Sequence, residues 1–187
     1  MADFTLTAAS PLAGYDQTLG GIRLRNVTDL ALVSIALPLG GGGDSAVEHA
    51  FGLALPPVGK SQMTQDGATR LARLGRDQLM ALFAHASPDA EPLIAAKLNG
   101  QAYTTDQTDV WVGLEISGGP ARTALERICL IDLHPDAFGV DQVARTVMEH
   151  LGVVIIRTGE ESYLLLSASS SAGSFLHALE ISIRNVI

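Results

Sequence analysis

The feature that most constrains this chain is repetition inside it. LVSIALPLGGGGDSAVEHAF (residues 32–51) and VGLEISGGPARTALERIC (112–129) each run from an apolar stretch through a glycine turn into helically spaced apolar positions. RLGRDQLMALFAHASPDAEPLIAAKL (73–98) and RTGEESYLLLSASSSAGSFLHALEIS (157–182) then share strand, glycine turn, strand, small polar linker and helix. A unit of about seventy residues is too long for a short-period solenoid repeat. Hairpins mixed with amphipathic helices instead favour an α+β fold, in which a duplicated strand–helix–hairpin–helix unit builds largely antiparallel sheet with helices over one face.

Local signals divide each unit. Leu30–Leu39 reads as a buried strand ending in Gly40–Gly43, and Ser45 with Glu48 has the spacing of a capping box for a helix presenting Val47, Ala50, Phe51 and Ala54. Pro56 and Pro57 stop that helix. Residues 69–74 and 78–84 form a hairpin turning at Gly75-Arg76-Asp77. Ser87-Pro88 opens a second helix carrying Leu93, Ile94, Lys97 and Leu98, and Asn99-Gly100 closes it. Gln101–Asp109 reads as the connection between repeats.

In the second unit, Val110–Ile116 is a strand. Gly118-Gly119-Pro120 turns into a helix burying Ala121, Leu125, Ile128 and Cys129. Val143–Met148, Val153–Arg157 and Ser162–Ser167 are strands, the last two joined at Thr158-Gly159-Glu160, and Ala172–Ile183 is the closing helix. The expected organisation is an N-terminal arm over residues 1–28, in which Ile22-Arg23-Leu24-Arg25 alternates like an edge strand. A single domain over 29–187 follows, made of pseudo-repeats at about 29–100 and 110–187.

Composition removes several functions. Twelve Lys and Arg against twenty Asp and Glu give a net charge of −8, and the widest basic cluster, Arg70, Arg73 and Arg76, is too dispersed to track a phosphate backbone. Nucleic acid is not an expected partner. No apolar run approaches the length of a membrane helix, so no membrane partner is expected. The opening MADFTLTAASPLAG lacks the basic and apolar regions of a signal peptide, and one cysteine fits a reducing compartment; the expected location is the cytoplasm. Charged residues make up 17%, against about 25% in a usual soluble domain, so part of the apolar surplus is expected to face a partner.

The motifs that could carry chemistry are incomplete. Gly59-Lys60-Ser61 ends like a phosphate-binding loop, but position 54 is Ala and a helix with two prolines precedes it, so it reads as a loop. Gly40–Gly43 and Gly118-Gly119 precede helices and could face an anion, yet tight turns explain both. His49, His85, His134, His150 and His177 form no metal-binding pair at helical spacing. Asp132, His134 and Asp136 are the densest polar cluster and could act as a general base, although Pro135 makes the segment a turn. Cys129 lies on an apolar stripe and reads as inert. Ser167 and Ser169–Ser171 lack the Gly-x-Ser-x-Gly elbow and read as linker and helix cap, and Trp111 reads as a core anchor. No catalytic, cofactor-binding or metal-binding residue is assigned.

The run Trp111–Gly118 (WVGLEISG), then Ala121-Arg122 with Leu125, Ile131–Pro135 with Phe138, and Val143–Thr146 resembles the gamma-subunit family of heterotetrameric sarcosine oxidases. Ser10-Pro11-Leu12 and Leu74–Asp77 fit the same family. One departure is visible: the family tends to Gly-Pro-Asp and a bulky aromatic in the first hairpin, where this chain has Gly75-Arg76-Asp77 and Leu79. The resemblance implies a non-catalytic subunit of a complex that oxidatively demethylates sarcosine to glycine, with tetrahydrofolate as one-carbon acceptor. It implies alpha, beta and delta subunits as partners. These would hold FAD, FMN, NAD, tetrahydrofolate and zinc, with no cofactor in this chain. It also implies a shortened relative of the folate-binding aminomethyltransferase fold. The competing reading is a free-standing folate-binding protein or enzyme, with Glu115 or Asp132 holding the pterin.

Overall fold

Alternation of apolar and turn-forming residues produces, in chain order, β1 (Asp16–Leu19), β2 (Ile22–Val27), β3 (Leu30–Ala36), α1 (Gly43–Phe51), β4 (Ser61–Met63), β5 (Thr69–Arg73), β6 (Gln78–Ala84), α2 (Ala90–Leu98) and β7 (Tyr103–Asp106). β8 (Trp111–Ser117), α3 (Ala121–Glu126), β9 (Val143–Met148), β10 (Leu151–Gly159), β11 (Ser162–Ala168) and α4 (Ala172–Arg184) complete the chain. These come from a computed structural model that describes residues 9–86 and 89–187.

The strands form two antiparallel sheets, ordered β4-β5-β6-β3-β7 and β9-β10-β11-β8-β2-β1. Read side by side, the orders superimpose position for position, with β1 the one addition. Each half contributes a first strand (β3, β8), a helix (α1, α3), three strands in a meander (β4–β6, β9–β11) and a closing helix (α2, α4). The duplication read from the sequence is therefore a structural duplication.

Side-chain parity explains how the sheets stack. On β10, Val153 and Ile155 join a core that includes Leu125 of α3 and Phe175 and Leu179 of α4. Their neighbours Val154 and Ile156 point the other way, into a core with Leu32, Met80 and Leu82 of the five-stranded sheet. On β3, Ala31, Val33 and Ile35 pack with Val47 and Phe51 of α1 and Ile94 and Leu98 of α2. The layers thus run helix, sheet, sheet, helix. The expectation of helices over one face holds for each sheet, and the second face packs against the other sheet. Strands buried on both faces need unbroken apolar runs, which is why VVII and LLL stand in the sequence without alternation.

Several local expectations are corrected. Residues 16–27 are not part of an arm: β2 lies between β1 and β8, and Ile22 and Leu24 are fully buried. The register with β8 buries that alternation, which sequence alone places at an edge. Gln101–Asp109 is more than a connection, because β7 pairs with β3 along Tyr103–Asp106. The capping box does not form. Gly42, at φ 87°, caps α1 without a side chain. The helix therefore starts before Ser45, and the Glu48 carboxylate instead accepts the Leu55 N–H at 3.2 Å. Gly52, at φ 64°, ends α1 ahead of the prolines. α3 stops at Glu126, and Cys129 bridges to Met148 beside β9. Ser87-Pro88 lies outside the described residues.

Candidate functional site

The sequence-predicted polar residues do not converge. Asp132 accepts the His134 backbone N–H at 2.8 Å, and the Asp136 N–H reaches His134 Nδ1 at 3.4 Å. Both hydrogen bonds are local turn chemistry on an exposed segment. Glu115 is engaged: Arg25 donates through Nε at 3.1 Å and Nη2 at 2.9 Å to its two oxygens, a bidentate pair across β2 and β8. Arg23 makes the same fork to Asp16, and the pair holds the Asp16 carboxyl below its usual range. Trp111 is half-buried against the inter-sheet core, with its indole N–H donating to Gln107 at 3.3 Å. Burial pushes the Cys129 thiol up, which lowers its thiolate fraction. Among the described residues, no group of three or more His, Cys, Asp and Glu could share a metal ion.

Gly59-Lys60-Ser61, read as a loop, is a seam between the halves. The Gly59 carbonyl accepts the Val143 N–H at 2.9 Å, Lys60 bridges to Gln142, and the Ser61 N–H donates to the Asp141 carbonyl at 2.6 Å. Arg70 spans the same seam, donating to the Asp141 carboxylate and, at 2.9 Å, to Ser61 Oγ. Behind it, the Arg157 side chain is 3% exposed and donates to the carbonyls of Phe138 (2.8 Å), Gly159 (3.2 Å) and Glu160 (2.5 Å). It fixes the loop that delivers Asp141. Sequence reasoning missed this role; the one signal was a lone cation closing an apolar run.

Each half also carries a groove along its helix pair. Arg127, Ile128, Glu149, His177, Ile181 and Asn185 line one of about 330 Å³ beside α4. Ser45, His49, Lys97, Asn99 and Gln101 line one of about 470 Å³ between α1 and α2. Each groove holds one histidine, one cation and one asparagine on the open outer layers. The arrangement offers surface for contact.

No protein-family model matches the chain. Curated relatives do: among them, the sarcosine oxidase subunit gamma of Corynebacterium sp. (strain P-1) is 32% identical over 163 residues, 87% of this chain and 80% of that protein. The subunit of the same name from Arthrobacter sp. is 33% identical over 150 residues, 80% and 73% respectively. This chain belongs to the sarcosine oxidase gamma-subunit family. Its fold agrees with a chain of the heterotetrameric sarcosine oxidase from Corynebacterium sp. U-96, solved with pyrrole 2-carboxylate, at TM-score 0.83, 24% identity and 96% coverage of both chains. It also agrees with the glycine cleavage system aminomethyltransferase T from Bartonella henselae at TM-score 0.62 and 17% identity, covering 82% of this chain and 44% of that one. The fold of this chain thus resembles that of less than half of the aminomethyltransferase. Among its described residues, no helix is long and apolar enough to cross a membrane.

Proposed function

We propose that this gamma-family chain is a subunit without a catalytic site of its own, and that it supports assembly of a heterotetrameric sarcosine oxidase. The complex would oxidatively demethylate sarcosine to glycine, passing the one-carbon unit to tetrahydrofolate. The alpha, beta and delta subunits would be its partners, holding FAD, FMN, NAD, tetrahydrofolate and zinc, and the assembly would work in the cytoplasm. The observation that carries this reading is 32% identity to a gamma subunit across 87% of the chain. The polar residues support it, since Glu115 is occupied by Arg25 and Asp132 and His134 serve a turn. The test is to tag the chain in its own cell. Large flavin-bearing subunits and sarcosine-dependent peroxide production should co-purify with it; a chain that emerges alone would overturn the proposal.

A second reading, a free-standing folate-binding protein, has one observation in its favour, the likeness to aminomethyltransferase T. A clear rise in the melting temperature of the isolated chain with tetrahydrofolate would replace the pure-subunit reading with this one.

A further inference from the structure

The five-stranded sheet does not cover the whole inner face of the six-stranded one. At the seam the cover is complete: Val143, Val154 and Ile156 are buried in the inter-sheet core. At the opposite end of the same strands it is gone. The register pairs Val147 with Gly152, places Gly152 opposite Ala168, and pairs Ala168 with Trp111. All four share the parity of the inner face. Across the Cys129–Met148 bridge, Leu130 falls beside Val147. The row Leu130, Val147, Gly152, Ala168 is therefore an apolar shelf that ends against Trp111, which is half-buried on the inter-sheet core. Leu130 is 79% exposed and Val147 39%.

Gly152 gives the shelf its shape. It sits mid-sheet between β9 and β11, where glycine weakens a strand. Its φ lies outside the left-handed region, so no turn requires it, and a Cβ built there meets nothing within 4 Å. Glycine in such a place leaves room for another chain to come close. Arg145 shares this face two residues before Val147, is exposed, and has no ion-pair partner among the described residues. On a chain of net charge −8, an unpaired guanidinium beside an uncovered apolar row complements an apolar segment bearing a carboxylate. A second copy of this chain fits less well, because two bodies of charge −8 repel.

We infer that the shelf Leu130–Val147–Gly152–Ala168, with Arg145 at its rim, docks an apolar, carboxylate-bearing segment of another subunit of the complex. This rests on the subunit reading above. The test uses the full chain co-expressed with the other subunits, as wild type, Gly152→Ile, Arg145→Glu and Arg145→Lys, with co-purified subunits quantified by mass spectrometry. Gly152→Ile fills the shelf at a site with room for the side chain, so the isolated variant should melt at or above the wild-type temperature. Even so, it should recover partner subunits about tenfold less well or worse. Arg145→Glu should lose recovery and Arg145→Lys should keep most of it. If wild type assembles and the folded Gly152→Ile and Arg145→Glu variants assemble equally well, the shelf is not the interface, while the subunit reading stands. If wild type recovers no subunit, both fail. If the purified chain forms a dimer that Gly152→Ile abolishes, the occupant is a second copy and the inference is overturned.

Discussion

At the scale of single residues, backbone conformation and hydrogen bonding make the sharpest expectations. Glu149 (φ 47°) and His150 (φ 70°) form the two-residue turn between β9 and β10 with both φ values positive. This turn favours Asn-Gly, and residues with a Cβ are strained there. Replacing the pair with Asn-Gly should therefore stabilise the chain by about 1 kcal/mol, read by urea unfolding. Gly118 is the opposite case. At φ 119° its missing Cβ would lie 2.2 Å from the Gly21 carbonyl oxygen, so Gly118→Ala should cost more than about 2 kcal/mol by prising the β1–β2 turn from β8. The Tyr15 hydroxyl donates to Glu180 at 2.6 Å, and burial, then that hydrogen bond, push its pKa up to about 12 from 10.0. A pKa raised by folding means the protonated form is favoured in the native state. That stability is intact below pH 10 and is lost as pH rises toward about 12. Tyr15→Phe should lose about 1 kcal/mol at neutral pH and flatten this alkaline loss, as seen in melting temperature against pH.

At the scale of elements, residues buried between strands and loops outweigh those on the surface. Arg157 is held by three backbone carbonyls in a nearly closed site. Arg157→Ala would leave those acceptors unpaired and release the loop carrying Asp141, at a cost of about 3 kcal/mol measured by chemical denaturation. The surface pair Arg122–Glu126, at helical i,i+4 spacing and well exposed, should contribute only about 0.3–0.5 kcal/mol. Element identity was legible where a signal is local. The Gly75-Arg76-Asp77 hairpin and the left-handed Asn99 that ends α2 stand where the sequence places them. Element position was less legible. Ile22-Arg23-Leu24-Arg25 looks the same at an edge as beside β8, because alternation reports a face and says nothing of neighbours. The helix start at Gly43 was hidden because Ser45 and Glu48 also satisfy a cap written one turn later.

At the scale of the molecule, the two halves share a core and a seam, so they should unfold together. Ile156 is fully buried between the sheets, and Ile156→Ala should cost about 3 kcal/mol. Trp111, the one tryptophan, lies against this core. Its fluorescence and the far-ultraviolet circular dichroism should report one coincident transition in wild type and variant alike. Non-coincident transitions would mean that each half is stable by itself. By itself, the sequence determined the duplication and the α+β class, because glycine turns and apolar spacing are written locally and physical chemistry reads them within a few residues. Its family resemblance followed from the order of those same pieces. Tertiary structure alone decided that the halves stack sheet to sheet and that Gly59-Lys60-Ser61 is a seam joined to Asp141. It alone decided that Glu115 is spent on Arg25 and that the row through Gly152 lies uncovered. Each of these is a relation between residues about eighty to a hundred positions apart or between opposite faces, set by register and packing, and no local pattern encodes it.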